Sequence, residues 1–306
     1  MTPCYTDVSL LSMNFLQKIR IFSKYHLWQR PSNGPSHEKE LGIKPLDFNL
    51  AEYYRLLNEF KKQYYFSNLC TVIYKKKKYP ILLINNFKKT QRSSNTKHVL
   101  IVSGIHGNEQ APLLAIPKLL QTNLHKESNS IHVSILAPAN PIGVACFSRY
   151  NAKGQDINRD FSKFETKEAR IIKSIIDNEK PDFVIGLHEG PQKGIFLYAN
   201  KLVKKKTISS ILKELRGNDV LLASKDYFGR ELAEKGYFPI RGGILILIYF
   251  WRLLLNKTTL STYLTDRNIP EVTTETSWLT VDITQRVYAQ LVVIKTIVES
   301  LKNEKN

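Results

Sequence analysis

A chain of 306 residues, 42% hydrophobic and 24% charged, has the make-up of a globular protein with a substantial core. That excludes a disordered or fibrous chain and fits one large α/β domain or two small ones. The formal net charge of +18 could draw nucleic acid, an anionic surface or an acidic substrate, but no zinc-finger spacing, aromatic-basic ribonucleoprotein pattern or single basic stripe accompanies it.

Residues 1 to 44 carry mixed signals. Asn14, Gln17, Lys18 and Arg20 interrupt residues 8 to 22, so no secretory signal is expected there, and Pro31-Ser32-Asn33-Gly34-Pro35-Ser36 reads as a linker or irregular arm. A domain over 45–306 is expected to follow. Leu50, Tyr53, Leu56, Leu57 and Phe60 recur at helical spacing between Asn49 and Tyr64. Leu69 to Tyr74 and Tyr79 to Ile84 read as two strands joined by a turn at Lys75 to Lys78, and Val99 to Val102 as a buried strand. Ala111 to Leu120 fits a helix with Pro112 in its first turn, where a missing N–H costs little. Ile131 to Leu136 is a strand leading into a loop that runs to Phe161; Lys167 to Asn178 is a helix stopped by Pro181; Phe183 to Leu187 is a strand entering His188. Phe196 to Tyr198, an apolar run at 244 to 250 and Val272 to Thr274 supply further strands, and Ile283 to Leu301 a closing amphipathic helix. Alternating strands and helices predict an α/β fold: a mixed, largely parallel central sheet with helices on both faces. The apolar window Gly243 to Leu255 is too short to cross a bilayer and contains Arg252. Cys4, Cys70 and Cys146 have no paired spacing, so neither a disulfide framework nor a thiolate metal site is implied, and a soluble protein of a reducing, cytoplasmic compartment is expected.

The groups able to do chemistry sit where strands give way to loops. His106 and Glu109 follow one strand in the stretch Ser103 to Gln110, His188 follows another, and Glu275 follows Val272 to Thr274. Ligands of open α/β sheets bind at the carboxyl ends of strands, so these groups can converge. Two imidazoles and a carboxylate are a three-ligand set suited to a catalytic zinc ion. Glu271 lies four residues before Glu275, on the same face of a strand, so periodicity cannot separate the two. His125 and His132 are read as exposed or structural, and Glu189 as a possible extra carboxylate. The lysine clusters at 75 to 78 and 204 to 206 read as solvated surface.

In order along the chain, H-G-N-E at 106 to 109, N-P-I-G at 140 to 143, R-Y-N-A-K-G-Q-D-I-N-R-D-F at 149 to 161, P-D-F-V-I-G-L-H at 181 to 188 and T-T-E-T at 273 to 276 form a connected set. On these motifs the chain resembles M14-type zinc carboxypeptidases and is also similar to the succinylglutamate desuccinylase/aspartoacylase group. The resemblance implies one zinc ion held by His106, Glu109 and His188, with Glu275 as general base and acid. It further implies Arg149 stabilising an oxyanion, Asn158 and Arg159 gripping a substrate carboxylate, and Asp156 orienting a zinc-binding histidine. Tyr249 and Tyr263 are both candidates for the family's substrate-contacting tyrosine, and 244 to 255 reads as an insertion. The implied activity is hydrolysis of an amide bond beside a free carboxylate, as a carboxypeptidase or as an N-acyl-amino-acid deacylase. A non-catalytic binding protein is a third reading. The expected partner is a peptide or acyl-amino-acid substrate, with no nucleic-acid motif and no transmembrane segment; the sequence leaves the oligomeric state open.

Overall fold

The computed structural model describes residues 42–88, 91–122, 130–226, 229–232, 234–240, 252–279 and 282–303, with positions 16, 23, 34 and 35. Cys4, His125, Tyr249, the 244 to 250 run and nearly all of the expected arm therefore lie outside the described residues. The strands are β1 (Tyr65–Tyr74), β2 (Lys77–Asn85), β3 (Lys97–Ser103), β4 (Ile131–Leu136), β5 (Phe183–Gly190), β6 (Phe196–Ala199), β7 (Tyr237–Pro239) and β8 (Glu271–Ser277). They make one sheet in the order β1-β2-β4-β3-β5-β8-β6-β7. Its centre, β4-β3-β5-β8, is parallel, while the β1-β2, β2-β4 and β8-β6 pairs are antiparallel. This is the mixed, largely parallel sheet the alternation predicted.

The central strands read as continuous apolar runs because both faces are covered. Every residue of β4 and β5 is buried. On one face Val99, Ile101, Val133, Ile135, Ile185 and Val272 pack with the helices α1 (Leu50–Asn58), α2 (Gln110–Gln121), α5 (Lys205–Gly217) and α7 (Ile283–Asn303). On the other, Leu100, Val102, Leu136 and Val184 meet Ile157 and Phe161 and the helices α4 (Lys167–Glu179) and α6 (Leu260–Asp266). The lysine turn is a hairpin with Lys75 and Lys76 both at positive φ, 46° and 65°, the geometry that matches the twist of the paired strands. Three helices were not read from the sequence, α6 among them. The Lys204 to Lys206 cluster opens α5, whose Ile208, Ile211, Leu212 and Leu215 are buried, and the expected loop after β4 contains the short helix α3 (Pro141–Ala145).

Successive connections from β3 go to β4 on one side and, from β4, to β5 on the other. The carboxyl end of β3 is thus a point where strand order reverses, and there a crevice opens between loops that part in opposite directions. Cys70 and Cys146 are free thiols. Among the described residues no helix is long and apolar enough to cross a membrane.

Candidate active site

The turn that leaves β3 is built for close approach. Gly104 has φ +73°, and a Cβ there would also sit 2.8 Å from Leu113. Gly107 is held harder still: a Cβ on it would lie 1.9 Å from the Gly143 carbonyl carbon and 2.0 Å from the Val144 nitrogen, so the turn rests directly on the α3 backbone. Asn140, fully buried, fastens the two together. Its side-chain amide donates to the Ile105 carbonyl at 3.1 Å, and its oxygen caps α3 by accepting from the Gly143 N–H at 2.9 Å. Gly107 N–H in turn donates to the Ser148 carbonyl at 2.9 Å. The N-P-I-G stretch is therefore the bed on which the H-G-N-E turn lies.

Three side chains converge above this bed. His106 Nδ1 is 2.6 Å from Glu109 Oε1, His188 Nδ1 is 2.8 Å from Glu109 Oε2, and the two Nδ1 atoms are 3.2 Å apart. All three residues are 3–4% exposed. Two ring nitrogens facing each other across one carboxylate cannot both carry protons without repulsion, and two bare lone pairs repel likewise; a cation among them satisfies all three. The donor set fits a metal ion, and His106, Glu109 and His188 are a group that could hold one. The other nitrogen of His106, Nε2, lies 3.3 Å from Asp156 Oδ1, which fixes the ring's orientation. Asp156 also binds Arg149, whose Nε is 2.8 Å from Oδ2; the same guanidinium reaches to 3.4 Å from His106 Nδ1 and 3.9 Å from Glu109.

The electrostatics follow from this crowding. Burial raises the Glu109 carboxyl, but His106 and His188 outweigh it and bring the group down to about 2. Burial raises Asp156 too, and Arg149 and His106 reverse this, leaving it well below the usual carboxylate range. Burial and Arg149 press His106 down, yet Glu109 and Asp156 leave its pKa raised; His188 is lowered by burial, with Glu109 opposing.

Burial separates the two glutamates of β8 that periodicity could not. Glu271 is 1% exposed and sealed under α6, where Ser261 donates to it at 2.7 Å and Thr273 also bonds it. Glu275 is half-buried at the strand's carboxyl end, in register with His188, and Gly190 leaves room for it: a Cβ there would be 3.3 Å from Glu275 Oε2. Burial and then Glu109 push the Glu275 carboxyl well above its ordinary range, against Arg149 and Arg159.

Burial raises Glu271 to about 7 from an ordinary 4.5. The folded state then binds this proton more tightly than the unfolded state does. Its contribution to stability is full below pH 4.5 and is lost as pH rises to about 7, a loss of at most about 3 kcal/mol. Glu271→Gln is expected to melt with the wild type near pH 4.5 and above it at about pH 8. Thermal midpoints that run parallel across that range would refute the assignment.

Other candidates fall elsewhere. Asn158 Oδ1 accepts from the Leu260 N–H at 2.9 Å, tying the loop to the start of α6 and leaving only its NH₂ to act. Arg159 Nη1 donates to the Asn158 carbonyl at 2.8 Å. Glu189 points to the opposite face, accepting from the Ala111 N–H and from Arg286, each at 2.8 Å. Tyr263 is a core residue, 3% exposed, packed on Phe161 and Phe164 under Arg267, which removes it as a substrate contact. His132 is buried, which leaves the structural one of its two readings. Leu253 and Leu254, at the end of the expected insertion, are exposed. Gln290 was missed: buried in α7, it donates to the His188 carbonyl at 2.9 Å. A Gln set among Ala289, Leu291, Val292 and Val293 was the available signal.

The motifs and the geometry can be set beside known proteins to which the chain is similar. Residues 95–211 match the succinylglutamate desuccinylase/aspartoacylase catalytic domain. That stretch holds His106, Glu109, Arg149, Asp156, Asn158, Arg159 and His188 but ends before Glu275. Carboxypeptidase 2 of Trichophyton tonsurans is 30% identical over 141 residues, covering 41% of this chain and 26% of its own length. This chain therefore spans about a quarter of the curated relatives it matches. Among solved structures, a candidate metallopeptidase from Shewanella denitrificans OS217 superposes with TM-score 0.64 at 16% identity, over 88% of this chain and 95% of that one. A metallo-carboxypeptidase from Burkholderia cenocepacia gives 0.58 at 13% identity, over 83% and 70%. The fold is that of the metallo-carboxypeptidases, and both sides of the resemblance carried by the motifs are found again.

Proposed function

We propose that the protein is a metal-dependent hydrolase that cleaves an amide bond beside a free carboxylate, most simply a carboxypeptidase using zinc. The observation that carries this reading is the convergence of His106, Glu109 and His188 beside a half-buried Glu275 and the Arg149 guanidinium. When bound by the three side chains, zinc supplies the Lewis acidity that makes water a competent nucleophile near neutral pH. Glu275 takes the proton of the attacking water and passes it to the leaving amine. Arg149, braced by Asp156, faces the charge that develops on the carbonyl oxygen. Arg159 and the NH₂ of Asn158 hold the substrate's carboxylate.

The match over residues 95–211 favours a second reading on the same site, hydrolysis of an N-acyl amino acid. Incubating the zinc-loaded protein with a mixed library of peptides and N-acetyl- and N-succinyl-amino acids, with products read by mass spectrometry, separates the two. Loss of C-terminal residues supports the peptidase, and release of acyl groups the deacylase. No product from either set, with or without chelator, overturns both. Asp156→Asn is expected to weaken metal binding about 10- to 100-fold, as loss of an orienting partner commonly does. Competition with a chromogenic chelator measures it, and an unchanged affinity would remove Asp156 from the role.

A further inference from the structure

At the opposite end of the sheet from the cleft, a second group of ligand-type side chains comes together. His98 is the second residue of β3, His132 the second of β4, and the two are paired in register; Glu179 is the last residue of α4. Five residues of strand, about 16 Å, separate His98 from Ser103 at the carboxyl end of β3. One ligand atom from each of the three lies within 4.8 Å of the others. His98 is 0% and His132 1% exposed, and their rings stack with centroids 4.7 Å apart.

We propose that His98, His132 and Glu179 form a second metal site, independent of the cleft, that takes a divalent ion of the zinc class and staples α4 to β3 and β4. One observation points to a ligand. Neither ring nitrogen of His132 has a well-formed hydrogen bond, the Phe87 main chain offering only a weak interaction, so a buried imidazole stands without the partners that burial demands. His98 and Glu179 complete the set: His98 Nε2 is 2.8 Å from Ser134 Oγ and its Nδ1 3.3 Å from the Glu179 carbonyl oxygen, while Arg92 Nη1 lies 3.3 Å from Glu179 Oε2. A bound ion would take over the charge that Arg92 now sets against Glu179, with Arg92 turning out to solvent. Two imidazoles and a carboxylate suit zinc, cobalt or nickel rather than magnesium or calcium.

The test counts zinc per chain by native mass spectrometry after loading and dialysis. The wild type is expected to hold two ions, His188→Ala one, His132→Phe one, and the double variant none. Zinc should also raise the melting temperature of His188→Ala, in which only the second site remains. Arg92→Ala is expected to keep two ions and bind the second more tightly, an outcome a purely structural ion pair would not produce. A wild type that holds a single ion, lost in His188→Ala and kept in His132→Phe, overturns the proposal and leaves His98 and His132 as buried structural histidines. Should His132→Phe fail to fold, Glu179→Gln at the helix end serves in its place, with one ion expected; two ions in that variant would count against the site. Because the readout is metal content, failure here leaves the reading of the cleft untouched.

Discussion

Glu275→Gln is expected to lower kcat by about 10²–10⁴, the span that a positioned general base and acid contributes, while metal content stays as in the wild type. Gln keeps the shape and hydrogen-bonding reach of the side chain but cannot take up a proton at neutral pH. The site around it is otherwise left intact: Gln192 donates to the Glu275 main-chain carbonyl at 2.8 Å, and the strand register with His188 does not involve the carboxyl group. Stopped turnover with zinc still bound would therefore isolate proton transfer. Glu271→Gln is the natural companion, because that carboxyl is sealed away from the cleft by Ser261 and Thr273. An undiminished rate in Glu275→Gln together with a dead Glu271→Gln would exchange the two assignments.

Gly107→Ala should be the most damaging single methyl group in the chain's functional region. A Cβ 1.9 Å from a backbone carbon cannot be absorbed by a rotamer change, since the obstructing atoms belong to the main chain of Gly143 and Val144. Either α3 or the turn carrying His106 and Glu109 must move. Overpacking of this kind typically costs about 1–3 kcal/mol, and metal binding should fall with it, because displacement of His106 also breaks its contact with Asp156. Chemical denaturation and zinc titration of the purified variant check both halves. Wild-type stability with wild-type zinc affinity would mean that the turn has slack which its close contact with α3 denies.

Much was legible along the chain because the signals were local. The parallel core strands β3, β4 and β5 declared themselves as apolar runs, since burial on both faces leaves few polar positions to interrupt them. The spacing of His106 and Glu109 on a glycine-bearing turn, and the placement of His188 and Glu275 after strands, were enough to nominate a site at the carboxyl ends. What failed was local ambiguity of two sorts. The helix α5 hid behind the lysines at its start, because a charged first turn looks the same whether a helix or a loop follows. α3 is five residues long, too short for periodicity to register.

The residue types, their order and their strand-end positions were thus legible in the sequence itself, and with them a donor set suited to a metal ion. Only the tertiary structure set Glu271 and Glu275 apart in burial, because four residues apart on one strand they share a face, and it is the cover of α6 that buries one and leaves the other half-open. Only it removed Tyr263 from the cleft and turned Glu189 to the far face. Burial, capping and pairing depend on elements distant in the chain, such as Leu260 against Asn158 and His98 against Glu179, and no reading of neighbours along the sequence contains them.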